Sequence, residues 1–98
     1  MSAYVIADLD VKDFEELSQY AEKAPATIAA HGGRYLVRRG KIEVLEGNWK
    51  PKLLSVLEFP SWEAAQEWYH SEEYRRIMDI RKRSAPTDLI MVEGVPPR

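Results

Sequence analysis

Ninety-eight residues, 45% hydrophobic and 31% charged, are enough for a single domain (residues 1–98) with a core and leave no room for a separate catalytic domain. Fourteen basic against sixteen acidic residues give a formal charge of -2, so no broad positive field favours nucleic acid or an anionic membrane as a partner. The absence of cysteine removes disulfides, thiolate nucleophiles and cysteine metal sites, and fits a reducing, cytoplasmic setting.

The opening residues Met1-Ser2-Ala3-Tyr4-Val5-Ile6-Ala7-Asp8 carry no basic region and meet an acid after a short apolar run. Neither a signal peptide nor a spanning segment is expected there. Tyr4 to Leu9 is short and rich in β-formers, a first strand. Asp10 or Asp13 can cap the next segment, where Phe14, Leu17, Tyr20, Ala21, Ala24 and Ile28 recur at helical spacing. Pro25 interrupts this stripe, which predicts a kink or a short break there, the latter giving two helical pieces, 12 to 24 and 25 to 31.

Gly32-Gly33 ends the helical pattern, and residues 34 to 38 form a second strand. Ile42 to Leu45 alternates weakly, which predicts a hairpin or bulged ribbon with Arg39-Gly40 at its tip. Gly47 to Pro51 is loop, and its Trp49 needs a partner surface. Leu53 to Phe59 makes a strand that is largely apolar on both faces. Ser61 caps a helix carrying Trp62, Ala65, Trp68 and Tyr69, and Ser71 recaps before Tyr74, Ile77 and Met78 extend the stripe to about Lys82. One bent rod and two pieces joined at His70-Ser71 fit equally. Asp88 to Val95 is the fourth main strand, and Pro96-Pro97-Arg98 ends outside any ladder.

The order β-α-β-β-α-β specifies an α+β, ferredoxin-like fold: a four-stranded antiparallel sheet with its helices on one side. Helices on one side cover one sheet face, yet the third and fourth strands are apolar on both. A homodimer through the sheet face resolves that exposure, with Trp49 placed to close the rim.

Among groups able to do chemistry, His31 stands at an element junction, where it is either a general base or a helix C-cap. Glu58 and Glu93 are lone carboxylates on apolar strands and need a cation or a polar cavity. A pocket of His31, Arg34 and Glu58 can polarise and deprotonate a small carbonyl or carboxylate compound; a structural ion-pair network uses the same residues. Tyr35, Tyr69 and Tyr74 can donate phenol hydrogen bonds, Trp49 can wall a pocket, and Trp62 and Trp68 have core spacing. Glu46 is ambiguous. The basic runs Arg34, Arg38, Arg39, Lys41 and Arg75, Arg76, Arg81, Lys82, Arg83 are either a local anion site or solvated faces. No metal-ligand spacing, Walker sequence, GxGxxG turn or GxSxG elbow occurs, so neither metal nor nucleotide cofactor is expected.

The blocks Ala3-Tyr4-Val5-Ile6-Ala7, Pro25 to Arg38 with His31-Gly32-Gly33-Arg34-Tyr35 at its centre, Glu43 to Trp49, Glu58-Phe59-Pro60-Ser61, Ala64 to Tyr69, Ser71-Glu72-Glu73-Tyr74 and Glu93-Gly94 resemble the family of domain of unknown function 1330. The resemblance spans nearly the whole chain. It implies a dimeric α/β barrel of ferredoxin-like subunits, similar to heme-degrading monooxygenases, muconolactone isomerases and stress-responsive barrel proteins, and no particular reaction. It also implies a cleft lined by His31, Arg34, Tyr35, Glu46, Trp49, Glu58, Tyr69 and Tyr74. Two functions remain open: a small-molecule-binding protein or cofactor-independent enzyme with His31 as acid-base group, Arg34 as anchor and Glu58 as its orienter, or a noncatalytic structural or regulatory dimer.

Overall fold

Alternation decides the first layer. In β1 (Ala3–Leu9), Ala3, Val5, Ala7 and Leu9 are buried while the residues between them are half-buried, so one strand face meets the core. The computed structural model describes residues 1–96, and the chain continues through α1 (Phe14–Ala30), β2 (Arg34–Arg38), β3 (Leu54–Phe59), α2 (Trp62–His70), α3 (Glu72–Ser84) and β4 (Thr87–Glu93). The sheet order is β2-β3-β1-β4 with all neighbours antiparallel, the ferredoxin-like arrangement. Val5 pairs with both Leu57 and Met91, which sets all three on the helix side. Trp68, Tyr74 and Phe59 are fully buried in this layer. No described helix is long and apolar enough to cross a membrane.

Asp13 caps α1, its Oδ1 accepting the Glu16 amide at 3.0 Å. The buried stripe starts at Leu17; Phe14, expected to belong to it, stands 68% exposed at the first helical position. The helix does not break at Pro25. A proline at that position cannot donate to the Ala21 carbonyl one turn earlier, and Arg38 supplies the missing donor: its Nη2 bonds Ala21 O at 2.9 Å. A cation from the neighbouring strand thus stands in for the lost backbone bond. Arg38→Ala is expected to cost about 1 kcal/mol, and less in a Pro25→Ala background, where a backbone amide is restored; urea denaturation of the double-mutant cycle measures the coupling.

The helix leaves through a Schellman turn: Gly33 N–H bonds Ile28 O, Gly32 N–H bonds Ala29 O, and Gly32 takes φ 77. At Gly33 a Cβ would lie 2.5 Å from the Phe59 ring, so the strand starts only because no side chain is there.

Residues 42 to 45 form no strand. β2 pairs directly with β3, with a bulge between Tyr35 and Val37, and Arg39 at φ 59 turns the chain off the sheet. The long loop that follows leaves Val44 and Leu45 exposed and returns at β3. The second helical region is two pieces: Ser71 ends α2 and begins α3, its hydroxyl donating to Trp68 O at 2.7 Å and accepting from the Tyr74 amide at 3.2 Å. β4 stops at Glu93, two residues before the expected end; Pro96 lies outside the ladder, and Pro97 and Arg98 lie outside the described residues. The face opposite the helices carries Ile6, Val56, Ile90 and Val92, with Ile90 and Val92 more than two-fifths exposed.

Candidate functional site

The apolar stripe of α3 runs Tyr74, Ile77, Met78, Arg81, Ser84, which places a guanidinium where spacing calls for a core side chain. Arg81 is 5% exposed, and none of the ion pairs among the described residues includes it. Its Nε donates to Tyr74 Oη at 3.2 Å, and Tyr74 Oη shares a 2.8 Å hydrogen bond with Tyr20 Oη. Among the described residues no fully buried side-chain nitrogen or oxygen lacks a partner, and Arg81 itself lines open space.

Those spaces are two. An inner cavity of about 40 Å³ lies between helices and sheet, bounded by Tyr20, Tyr35, Ser55, Trp68 and Leu89. An open groove of about 450 Å³ runs between the helices and β4, walled by Tyr69, Leu89 and Met91, with Lys82 and Thr87 at its polar end. Arg81 and Leu89 line both. The groove has the volume of a small-ligand site, whereas the inner cavity has room for little more than a water molecule.

Of the residues singled out from sequence, Tyr35, Tyr69 and Tyr74 gather around this cleft: Tyr35 on the inner cavity, Tyr69 on the groove, Tyr74 behind Arg81. Arg34 and Glu58 do meet, on the opposite sheet face. Nε and Nη2 of Arg34 each reach Glu58 Oε1 at 2.9 Å, and Tyr4 donates to Oε2 at 3.3 Å. Their register, Arg34 against Glu58 and Tyr35 against Leu57, turns this pair and Tyr35 to opposite sides. His31 is the C-cap of α1, half-buried, and lines none of the described cavities. Trp49 is 58% exposed in the long loop, its Nε1 donating to Asp8 Oδ2 at 3.1 Å; Glu46 is exposed in the same loop. The structure therefore scatters the expected cleft set: three tyrosines at the cleft, Arg34 and Glu58 on the other sheet face, His31 at a helix end, and Glu46 and Trp49 in the long loop.

The family model for Domain of unknown function (DUF1330) matches residues 2–95. The chain belongs to the DUF1330 family. A comparison with curated proteins returns no match. Among solved structures, the DUF1330 chain is similar to RPA0582, a protein of unknown function from Rhodopseudomonas palustris, with TM-score 0.73 and 16% identity over 98% of this chain and 84% of that one. It is also similar to SnoaB, a cofactor-independent oxygenase from Streptomyces nogalater, with TM-score 0.67 and 10% identity over 98% and 95%. A third likeness is to an antibiotic biosynthesis monooxygenase, with TM-score 0.54 and 13% identity over 98% and 100%. Identities this low establish a shared fold.

Within the DUF1330 cleft, two phenols, Tyr20 and Tyr35, are shifted by burial. Burial drives Tyr20 far above its ordinary value of 10.0, and the neighbouring Tyr74 adds to the rise. Burial also raises Tyr35, partly offset by Arg38, whose guanidinium lies 4.7 Å over the Tyr35 ring. Folded Tyr20 keeps its proton where an unfolded tyrosine loses it, so stability falls as pH rises past about 10, by up to about 1.4 kcal/mol per unit. Tyr20→Phe is expected to flatten that slope in urea denaturation series run from about pH 9 to pH 11.

Arg81 and Tyr20 are the polar centre of the cleft, and the sequence pattern points both elsewhere: Tyr20 falls in the apolar stripe of α1, and Arg81 in a basic run that also reads as a solvated face. The signal was present: Arg81 falls seven residues after Tyr74 and three after Met78, on the buried side of the helix.

Proposed function

We propose that this chain is the single-domain subunit of a cytoplasmic homodimer, and that each subunit binds a small carbonyl or carboxylate compound in the cleft between helices and sheet. The observation that carries the proposal is the buried Arg81 opening onto that cleft beside Tyr69, Tyr20 and Tyr35. The residues lining the two spaces include no carboxylate and no histidine. Such a site stabilises an oxyanion by donating hydrogen bonds; it does not take a proton from carbon. A cofactor-independent reaction there uses substrate acidity together with Arg81 as electrophile, and the fold shared with a cofactor-independent oxygenase supports this class.

The homodimer is supported by the open sheet face, where exposed Ile90 and Val92 on one edge strand and Val37 on the other flank Ile6 and Val56. A second copy covers that face by packing sheet on sheet, with the Arg34–Glu58 pair and Trp49 at the rim. Sedimentation equilibrium at micromolar concentration is expected to give the dimer mass, and Ile90→Lys the monomer mass. A wild-type monomer refutes the sheet contact. Titration with small carboxylates and ketones, followed by the Trp68 indole N–H resonance, tests the cleft.

The placement of His31 favours a second reading, a noncatalytic dimer in which His31 ends a helix and Arg34 with Glu58 fastens two strands. Binding at the cleft without turnover of any ligand supports that reading.

A further inference from the structure

A guanidinium is costly to take out of water unless a counter-charge meets it, and folding supplies none to Arg81 among the described residues. Its one side-chain hydrogen bond among the described residues, from Nε to Tyr74 Oη, fixes the guanidinium and leaves both terminal nitrogens to pair with a ligand in the groove that the residue lines. Lys82 follows it at the exposed rim of the groove, so the polar end holds two cations. The opposite walls are Leu89, Met91 and the Tyr69 ring, a slot with aliphatic and aromatic sides. Tyr69 in turn rests on Tyr74 and Trp68, with ring centroids 5.9 and 6.2 Å away, so this wall is fixed by the core.

Resting on the cleft function proposed above, we propose that the natural ligand is an aromatic carboxylate. Its carboxylate lies in the plane of the Arg81 fork, and its ring lies between Tyr69 and the Leu89–Met91 wall. Planar two-point pairing distinguishes a carboxylate from its amide, because an amide presents one acceptor and a donor that the guanidinium repels. Lys82 adds long-range attraction at the entrance and contributes little once the ligand is seated, since its ammonium stays in water.

The test uses the full chain with 2-naphthoate and 2-naphthamide, matched in shape and different in charge, read by calorimetry and by the Trp68 indole N–H resonance. The expected result is saturable binding of 2-naphthoate, at least tenfold tighter than 2-naphthamide, with the Trp68 resonance moving. Arg81→Gln is expected to erase the preference, Arg81→Lys to keep part of it, and Lys82→Gln to change affinity less than threefold. Equal binding of the two probes to the wild-type chain overturns the carboxylate assignment and leaves a small-molecule cleft in place, an outcome that does not depend on any variant folding. Saturable binding of neither probe overturns both.

Discussion

Trp68→Ala is expected to remove about 3–5 kcal/mol of stability, a large share of the total for a domain of this size. Trp68 is 1% exposed and lies where three elements converge: its ring centroid is 4.1 Å from that of Tyr74 on α3 and 5.3 Å from that of Phe59 on β3. Its Nε1 donates to Thr27 Oγ1 at 3.1 Å, which ties α2 to α1. Thr27 keeps its own bond to Ala24 O without the indole, so the loss comes mainly from the void. Trp68→Phe separates the parts, keeping most of the ring contact and losing the hydrogen bond, and is expected to cost less. In urea, the midpoint should fall with the slope unchanged; a loss below about 1 kcal/mol would mean that neighbouring rings close the space.

Arg81→Met should act with the opposite sign. Methionine fills the buried stem of the arginine and removes an uncompensated charge, while Tyr74 keeps its bond to Tyr20. A gain of about 1–4 kcal/mol is expected, and for a chain of this length each kcal/mol raises Tm by about 4–8 °C. Ligand binding at the cleft should be lost in the same variant. A residue whose removal stabilises the fold and abolishes binding is kept for the ligand; destabilisation of the empty protein would instead mark Arg81 as structural. Differential scanning calorimetry of both chains decides between these outcomes.

The fold was legible because its elements are locally consistent. The β-rich run Tyr4 to Leu9, the Ser61 cap and the glycine pair after His31 each specify one outcome on their own, while the choice of Asp13 over Asp10 and of two rods over one at Ser71 takes the structure. Local pattern misleads where a distant residue intervenes. Pro25 reads as a break until Arg38 is seen to satisfy Ala21 O, and Ile42 to Leu45 reads as a strand until Arg39 is seen to turn the chain away. The site was less legible for a related reason. The Arg34–Glu58 pairing followed from topology, but facing depends on register: one step along β2 separates Arg34 from Tyr35 and sends them to opposite sides of the sheet. Arg81 was obscured by its exposed basic neighbours, since charge counting cannot distinguish a buried member of a run from a solvated one.

The joint at Ser71 also sets an angular phase. In one unbroken helix, residues six apart such as Trp68 and Tyr74 would point about 120° apart and stand about 9 Å apart along the axis, too far to stack. Ending α2 and restarting α3 at a single extended serine, ψ 153, brings the two rings to 4.1 Å and carries Arg81, two turns further on, into the same interior. The serine therefore works as an index pin between two rods. Adding or deleting one residue beside it would rotate Tyr74, Ile77, Met78 and Arg81 together by about 100° and turn the guanidinium away from the cleft. Chain length is fixed at this joint.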